Sequence, residues 1–115
     1  MEVVSREDVE NIEIFDGVTG KILMSGERIM FLLVMIEEGR VVPMHSHENE
    51  QFGLCLEGRA EFIGKEETKI VEAGKFYGIA PNEPHSVRMI GEGPGIFLDV
   101  FSPPREDYLA KLQSG

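Results

Sequence analysis

The chain is poor in cysteine, in basic residues and in long apolar runs. Its single cysteine, Cys55, excludes an internal disulfide and predicts a reducing, cytoplasmic location. The 11 lysines and arginines against 21 aspartates and glutamates give a net charge of −10, which disfavours nucleic acid and anionic membranes as partners. The longest apolar run, Met30 to Ile36, is too short to span a bilayer, and the charged start lacks the apolar core of a signal peptide. A small molecule, anionic ones included, is the expected partner.

At 115 residues the chain fits one domain, residues 1–115. Short apolar or alternating stretches recur between glycine-bearing turns, which is typical of an antiparallel barrel or sandwich. Cys55, in the apolar stretch FGLCL, is expected in the core, although its parity with Gln51 leaves a pocket-lining role open. The predicted strands are Ile12–Phe15, Lys21–Ser25, Arg28–Ile36, Arg40–His45, Phe52–Leu56, Arg59–Ile63, Thr68–Val71, Phe76–Ile79, Ser86–Ile90 and Ile96–Phe101.

Two segments predict features beyond the barrel strands. Met30 to Ile36 has no polar alternation, as expected for a strand covered by the core on one side and by a second subunit on the other, which favours a homodimer. After the last strand, Ser102 is expected to cap a short helix and Pro103 to occupy its first turn. The apolar face that would let this helix close one end of the barrel consists of Tyr108, Leu109 and Leu112.

All three histidines lie in two short segments, His45 and His47 in GRVVPMHSHENEQ and His85 in APNEPHS. On an extended strand His45 and His47 point to the same side, so that two imidazoles reach one ion. Neutral imidazole suits zinc, copper, nickel and iron, and it commonly needs a third or fourth ligand from elsewhere in the chain. The alternative is two exposed strand histidines and a turn histidine, which an isolated HxH pair alone would favour.

The sequence around these histidines resembles the two motifs of the cupin superfamily. The first motif is matched at every spacing, with glutamine in place of glutamate, by Gly39, His45, His47, Gln51 and Gly58. The second is matched in register, with Ala80 for proline, Asn82 for glycine and Met89 for asparagine, over Gly74, Pro81 and His85. The resemblance implies an all-β fold, the cupin double-stranded β-helix or jelly-roll barrel, with a short C-terminal helix.

The same resemblance implies that His45, His47, Gln51 and His85 hold one divalent transition metal ion: nickel, manganese, zinc or iron. Glu50 competes with Gln51 because it is a carboxylate one residue away, but adjacent strand residues face opposite sides, which favours Gln51. Three imidazoles and a neutral amide leave the charge of the ion uncompensated. This favours Lewis-acid chemistry over ferrous oxygen activation, which usually employs two histidines and a carboxylate.

The C-terminal segment supplies further candidates. Alternation along the last strand places Asp99 and Phe101 on one face, and the turn after it can bring Arg105 back toward them. A buried aspartate there would be a candidate general base. In the alternative, Asp99 binds a barrel turn, and Arg105 pairs with Glu106 or Asp107 in water.

The segment DVFSPPREDYL is similar to the tail of the cupin pectin degradation proteins, which open and ketonise 4,5-unsaturated monouronates. The resemblance implies that Asp99 moves a proton, that Phe101 packs against the sugar ring, and that Arg105 binds the carboxylate in a bidentate pair. The leading hypothesis is therefore a metal-dependent, isomerase-like enzyme acting on small sugar acids. The alternatives are a metal-dependent dioxygenase and a non-catalytic cupin that binds a sugar or a metal.

Overall fold

The computed structural model describes residues 1–114, so that only Gly115 of the predicted domain lies outside it. A 3₁₀ turn at Arg6–Asp8 precedes the strands. The ten strands and one helix are β1 (Ile12–Phe15), β2 (Val18–Ser25), β3 (Met30–Ile36), β4 (Val41–His45), β5 (Glu50–Glu57), β6 (Arg59–Ile63), β7 (Thr68–Glu72), β8 (Phe76–Ile79), β9 (His85–Met89), β10 (Gly95–Ser102) and α1 (Glu106–Ser114). All ten predicted strands are present, and the largest difference is that β2 begins at Val18 and not at Lys21.

The strands form two antiparallel sheets whose inner faces enclose the core. The larger sheet has the order β1-β2-β3-β10-β5-β8 and the smaller has the order β4-β9-β6-β7. Along β10, Phe97, Asp99 and Phe101 are buried, whereas Leu98 and Val100 face outward. Because side chains alternate between the two faces of each strand, the interior of the jelly-roll barrel is apolar, and polar side chains lie inside it at one end.

The centre of the barrel consists of side chains that are almost fully enclosed. The largest of them are Phe97, Met30, Leu32, Ile36, Val18 and Cys55. Burying an aliphatic or aromatic side chain of this size stabilises the fold by roughly 1.5–3 kcal/mol. The prediction that Cys55 is a core residue is confirmed, because its thiol is free and completely buried.

The C-terminal helix is present but begins later than expected. Ser102 still belongs to β10, where it pairs with Glu50, and its hydroxyl donates to the carbonyl of Arg28 at 2.7 Å. The predictions that Ser102 caps the helix and that Pro103 occupies its first turn are therefore wrong, because the ladder with β5 holds the chain extended through Ser102. The helix packs on the barrel through Tyr108 and Leu109.

Within residues 1–114, no helix is long and apolar enough to cross a membrane.

Candidate metal centre

The smaller sheet and the connection that leads from it to the larger sheet contribute one cluster of three histidines. His45 ends β4 and His85 begins β9, and the two are direct cross-strand partners in the smaller sheet. His47 lies in the connection from β4 to β5, which crosses to the larger sheet. One nitrogen from each imidazole lies within 4.8 Å of the other two, so that a single ion can be reached by all three.

Each histidine uses its Nδ1 atom to bind a nearby backbone carbonyl. The acceptors are Pro43 at 2.9 Å for His45, Asn49 at 3.0 Å for His47 and Glu83 at 2.8 Å for His85. Because a carbonyl only accepts, Nδ1 carries the proton, and Nε2 of a neutral imidazole presents a lone pair. Hydrogen bonding of the second ring nitrogen is the usual way in which a protein orients a metal-binding histidine.

Burial keeps two of these imidazoles in the neutral form. Desolvation lowers the pKa of His85 to about 4, and the other two histidines and Arg105 act in the same direction. Desolvation also lowers the pKa of His47, again assisted by the positive charge of Arg105. Neutral imidazole is the state that binds a metal.

Gln51 completes the arrangement from the larger sheet. Its side chain is buried, and its Oε1 lies 3.0 Å from Nε2 of His47, whereas Glu50 is exposed at the start of β5. Because Nδ1 of His47 carries the ring proton and donates it to a carbonyl, Nε2 of His47 is an acceptor, as is Oε1 of Gln51. No hydrogen therefore lies between these two atoms. A cation accounts for this arrangement, and the neutral N and O donors fit a divalent transition metal.

Two residues that differ from the second motif, Ala80 and Asn82, lie in the connection from β8 to β9, and the structure explains both. Asn82, at the motif's glycine position, has φ +64°, a left-handed conformation that glycine or asparagine adopts most readily. Its backbone N–H donates to the carbonyl of His47 at 2.7 Å, which helps to hold that histidine. Ala80, at the proline position, uses its N–H to bind the Glu83 carboxylate at 2.9 Å, a bond that proline cannot make.

Asp99 lies inside the barrel, as its parity predicted. Its Oδ1 accepts a hydrogen bond from the Tyr77 hydroxyl at 2.5 Å. Desolvation raises the pKa of Asp99 to about 6, against the opposing effects of Tyr77, Gln51 and Arg105. The alternative prediction was that Asp99 binds a barrel turn, but its partner is the Tyr77 side chain.

Arg105 returns over the barrel end and is buried. Its guanidinium carbon lies 5.1 Å from the Phe101 ring centre and 4.1 Å from that of Tyr108, so the two rings flank the cation. Nε and Nη2 donate to the two carboxylate oxygens of Asp107 at 3.0 and 2.8 Å. The alternative prediction was a pair between Arg105 and Asp107 in water. The pair is present, but the arginine side chain is only 8% exposed and is therefore not in water. Its Nη1 is buried and has no hydrogen-bond partner.

Asn49 is a residue that the sequence analysis missed. Its side-chain amide donates to the carbonyls of Pro103 at 2.6 Å and Pro104 at 3.3 Å. These bonds tie the loop of His47 to the segment that leads to Arg105. Nothing in the sequence near Asn49 indicated a partner more than fifty positions away.

One cavity joins these groups. His45, Gln51 and His85 line it together with Asp99, Phe101 and Arg105, and apolar core residues form the remainder of its wall. Tyr77 and Tyr108 also contribute, and His47 reaches the histidine cluster from an adjoining groove. The arrangement brings three histidines that could hold a metal, a carboxylate with a raised pKa and a buried arginine together around one cavity.

Comparison with known proteins gives matches over most of the chain. A family model described as "Cupin domain" matches residues 32–101. The pectin degradation protein KdgF of Dickeya dadantii (strain 3937) is 31% identical over 98 residues, which cover 84% of this chain and 88% of that protein.

Solved structures share the architecture. An RmlC-like cupin from Shewanella frigidimarina NCIMB 400 superposes with a TM-score of 0.84 and 26% identity, covering 94% of this chain and 96% of that one. KdgF from Halomonas sp. gives a TM-score of 0.86 with 22% identity, covering 93% of this chain and 99% of that one.

Proposed function

The chain belongs to the cupin domain family, and from that premise we propose that it is a metal-dependent enzyme that opens and ketonises 4,5-unsaturated monouronates. One observation carries the proposal: Arg105, whose buried Nη1 has no hydrogen-bond partner, lines the same cavity as Asp99, His45 and His85. A buried cationic donor without a partner is costly unless a ligand satisfies it. The similarity to a pectin degradation protein supports a sugar acid as that ligand.

Arg105 would bind the substrate carboxylate. Because the Nε–Nη2 edge of the guanidinium is occupied by Asp107, the substrate would use Nη1, or the edge formed by Nη1 and Nη2. The rings of Phe101 and Tyr108 hold the guanidinium plane and leave it little rotational freedom. Phe101 also lines the cavity, where it would pack against the sugar ring.

Asp99 would move the proton. The reaction is an isomerisation in which the anomeric hydroxyl loses a proton, C1 becomes a carbonyl as its bond to the ring oxygen breaks, and the resulting enolate gains a proton at C4 to give the ketone at C5. A carboxylate with a pKa of about 6 can take the first proton near neutral pH and return it to carbon. Desolvation within the barrel places Asp99 in that range.

A divalent transition metal ion held by His45, His47, Gln51 and His85 would supply Lewis-acid polarisation of substrate oxygens. The three Nε2 lone pairs and the Gln51 oxygen are the donors of this proposed set. Glu50, the competing ligand, is exposed and starts β5 on the opposite face, which argues against its use.

Turnover of the monouronate tests the proposal. Metal-loaded protein is incubated with a 4,5-unsaturated monouronate, and the loss of its conjugated double bond is followed by ultraviolet absorbance. We expect acceleration over the spontaneous reaction, and little of it with Asp99→Ala. A rate equal to the spontaneous one would reject the proposal. Oxygen uptake, measured in parallel, would instead indicate the alternative dioxygenase activity, and the presence of Asp99 and Arg105 in the cavity argues against a non-catalytic role.

The proposal includes a homodimer formed through the outer face of the larger sheet. The outward positions of β3, β10, β5 and β8 carry a continuous set of apolar side chains: Phe31, Leu33, Met35, Phe52, Leu54, Leu56, Phe76, Ile96, Leu98 and Val100. Phe31, Phe52 and Phe76 are exposed by 38%, 61% and 79%. At about 200 Å² for a phenylalanine side chain, these three alone present roughly 350 Å².

A second copy of the chain is the partner that best fits this face. The largest apolar patch of a monomer is commonly about 300–600 Å² and often marks an interaction site, and the seven further residues extend this face toward the roughly 800 Å² per partner of a standard interface. A basic partner attracted by the net charge of −10 would contact carboxylates, and none of these ten side chains carries a charge. In a two-fold dimer, each copy presents the same face to the other, so that the partner surface is both apolar and uncharged. A cytoplasmic location belongs to the same proposal, and the buried free thiol of Cys55 supports it.

A further inference from the structure

The Gln51 amide can face the histidines in either of two ways, and only one of them is useful for binding a cation. A carboxamide presents an acceptor oxygen on one side and an NH₂ donor on the other. Here Oε1 lies 3.0 Å from Nε2 of His47. Asp99 is the diagonal neighbour of Gln51 on the inner face of the sheet, and Gln51 is among the hydrogen-bonding groups that lower the pKa of its carboxyl. A carboxylate only accepts, so it selects the orientation in which NH₂ faces Asp99 and the oxygen faces His47.

Asp99 is itself held in place by Tyr77. The Tyr77 hydroxyl donates to Oδ1 of Asp99, and burial, followed by the negative charge of Asp99, raises the pKa of Tyr77 well above its ordinary value. The hydroxyl therefore remains a donor, and the carboxylate has a fixed rotation. Neither Tyr77 nor Asp99 is one of the proposed metal ligands.

The sheet is built to allow this contact. Tyr77, Gly53 and Asp99 are direct partners on β8, β5 and β10, which are three neighbouring strands of the larger sheet. A Cβ atom at Gly53 would overlap the ring and the hydroxyl of Tyr77. The glycine thus leaves the space through which the tyrosine reaches across the middle strand to the aspartate.

We propose that Tyr77, acting through Asp99, orients the Gln51 amide so that its oxygen, and not its NH₂ group, faces the metal centre. Tyr77 is a positioning residue in this arrangement, and Gly53 is the position that makes room for it. Asp99 thus has two separate roles: it orients the Gln51 amide toward the metal centre, and it transfers a proton in the proposed reaction. The inference rests on the proposed metal centre but not on the proposed substrate.

Binding of Ni²⁺, measured by calorimetric titration of the full chain, tests the proposal without substrate. Loss of a group that orients a ligand typically weakens metal affinity about 10- to 100-fold, and we expect Tyr77→Phe near the lower end and Asp99→Asn near the upper end of that range. Asp99→Asn adds a donor that would turn the Gln51 oxygen away from His47. Tyr108→Phe is the matched control, because it removes the other tyrosine hydroxyl from the same cavity, and its affinity should stay within about twofold.

A double-variant cycle separates orientation of Gln51 from a general loss of structure. On a Gln51→Ala background, Tyr77→Phe should cause little additional loss, because the amide to be oriented is gone. Tyr77→Phe binding as tightly as the unaltered protein, or an undiminished Tyr77→Phe effect on the Gln51→Ala background, would overturn the orienting role alone. Absence of Ni²⁺ binding by the unaltered protein would overturn the metal centre and the orienting role with it, whereas failure of the uronate assay would affect neither.

Discussion

Oε1 of Gln51 and Nε2 of His47 lie 3.0 Å apart, although the imidazole donates its proton from Nδ1 to the carbonyl of Asn49. Two acceptors at this distance repel unless a positive charge lies beside them. The low pKa of His47, caused first by desolvation, disfavours an imidazolium as that charge. This pair of residues therefore gives the strongest local support to the proposed metal centre.

His85→Ala should abolish metal retention. The substitution removes the most deeply buried of the three imidazoles, and it leaves the ion only two histidines and an amide. Elemental analysis after loading and gel filtration measures the result. Glu50→Gln is the control, because it alters an exposed neighbour of Gln51 and should leave the metal content unchanged. Metal content that survived His85→Ala would contradict the four-ligand site.

Asp99→Asn should stabilise the metal-free protein at neutral pH. The folded pKa of about 6 exceeds the ordinary value of 3.8, so the folded state holds the proton more tightly, and stability falls as pH rises from about 4 to about 6. Above that range the ionised, desolvated carboxylate keeps the protein less stable, and Asp99→Asn should gain roughly 1–3 kcal/mol at pH 7.5. Urea unfolding with a chelator at pH 4 and pH 7.5 measures the difference, and an advantage independent of pH would contradict the prediction.

Arg105→Lys should weaken substrate binding more than it slows the chemical step. Lysine keeps the charge but loses the planar fork that Phe101 and Tyr108 flank and that pairs with Asp107. A charge-assisted hydrogen bond contributes roughly 1.5–3 kcal/mol, so KM for the monouronate should rise about 10- to 100-fold. Arg88→Lys, on the exposed side of β9, is the matched control and should keep the original KM. An unchanged KM for Arg105→Lys would remove the arginine from substrate binding.

Asn49→Ala should loosen the segment that carries Arg105. Its two bonds to the carbonyls of Pro103 and Pro104 would be lost, at a cost of roughly 1–2 kcal/mol in the free energy of unfolding. KM should rise as well, because the guanidinium would no longer be held over the cavity. Asn11→Ala, at an exposed position before β1, provides the comparison. Equal KM values and equal unfolding free energies for the two variants would argue against this tie.

Phe52→Asp should convert the proposed dimer into monomers. Its ring is 61% exposed on the apolar outer face, and a carboxylate there would be buried against apolar side chains of the second copy without a partner. Light scattering with size-exclusion chromatography reads the molar mass. Ile70→Asp, on the outer side of the smaller sheet, should leave the dimer intact. A monomeric unaltered protein, or a dimeric Phe52→Asp variant, would contradict the interface.

The strands were predictable because their information is local. A period of two places Asp99 and Phe101 inside the barrel regardless of which strands lie beside β10, and turns at glycines mark where most of the strands stop. The three histidines were likewise predictable as a group from the spacing of two motifs. The start of α1 was not, since the ladder between Ser102 and Glu50 is a contact between residues distant in sequence.

By itself, the sequence determined the strand pattern, the parity of Gln51 and Asp99, and the chemical types available to one site. Only the tertiary structure decided which strands are neighbours, and with that the row from Tyr77 across Gly53 to Asp99 and the bonds from Asn49 to the tail. It also decided that Arg105 is buried between two rings with one nitrogen unpaired. The physical reason is that alternation along a strand fixes the face on which a side chain lies, whereas its partners depend on sheet order and register, which long-range packing selects.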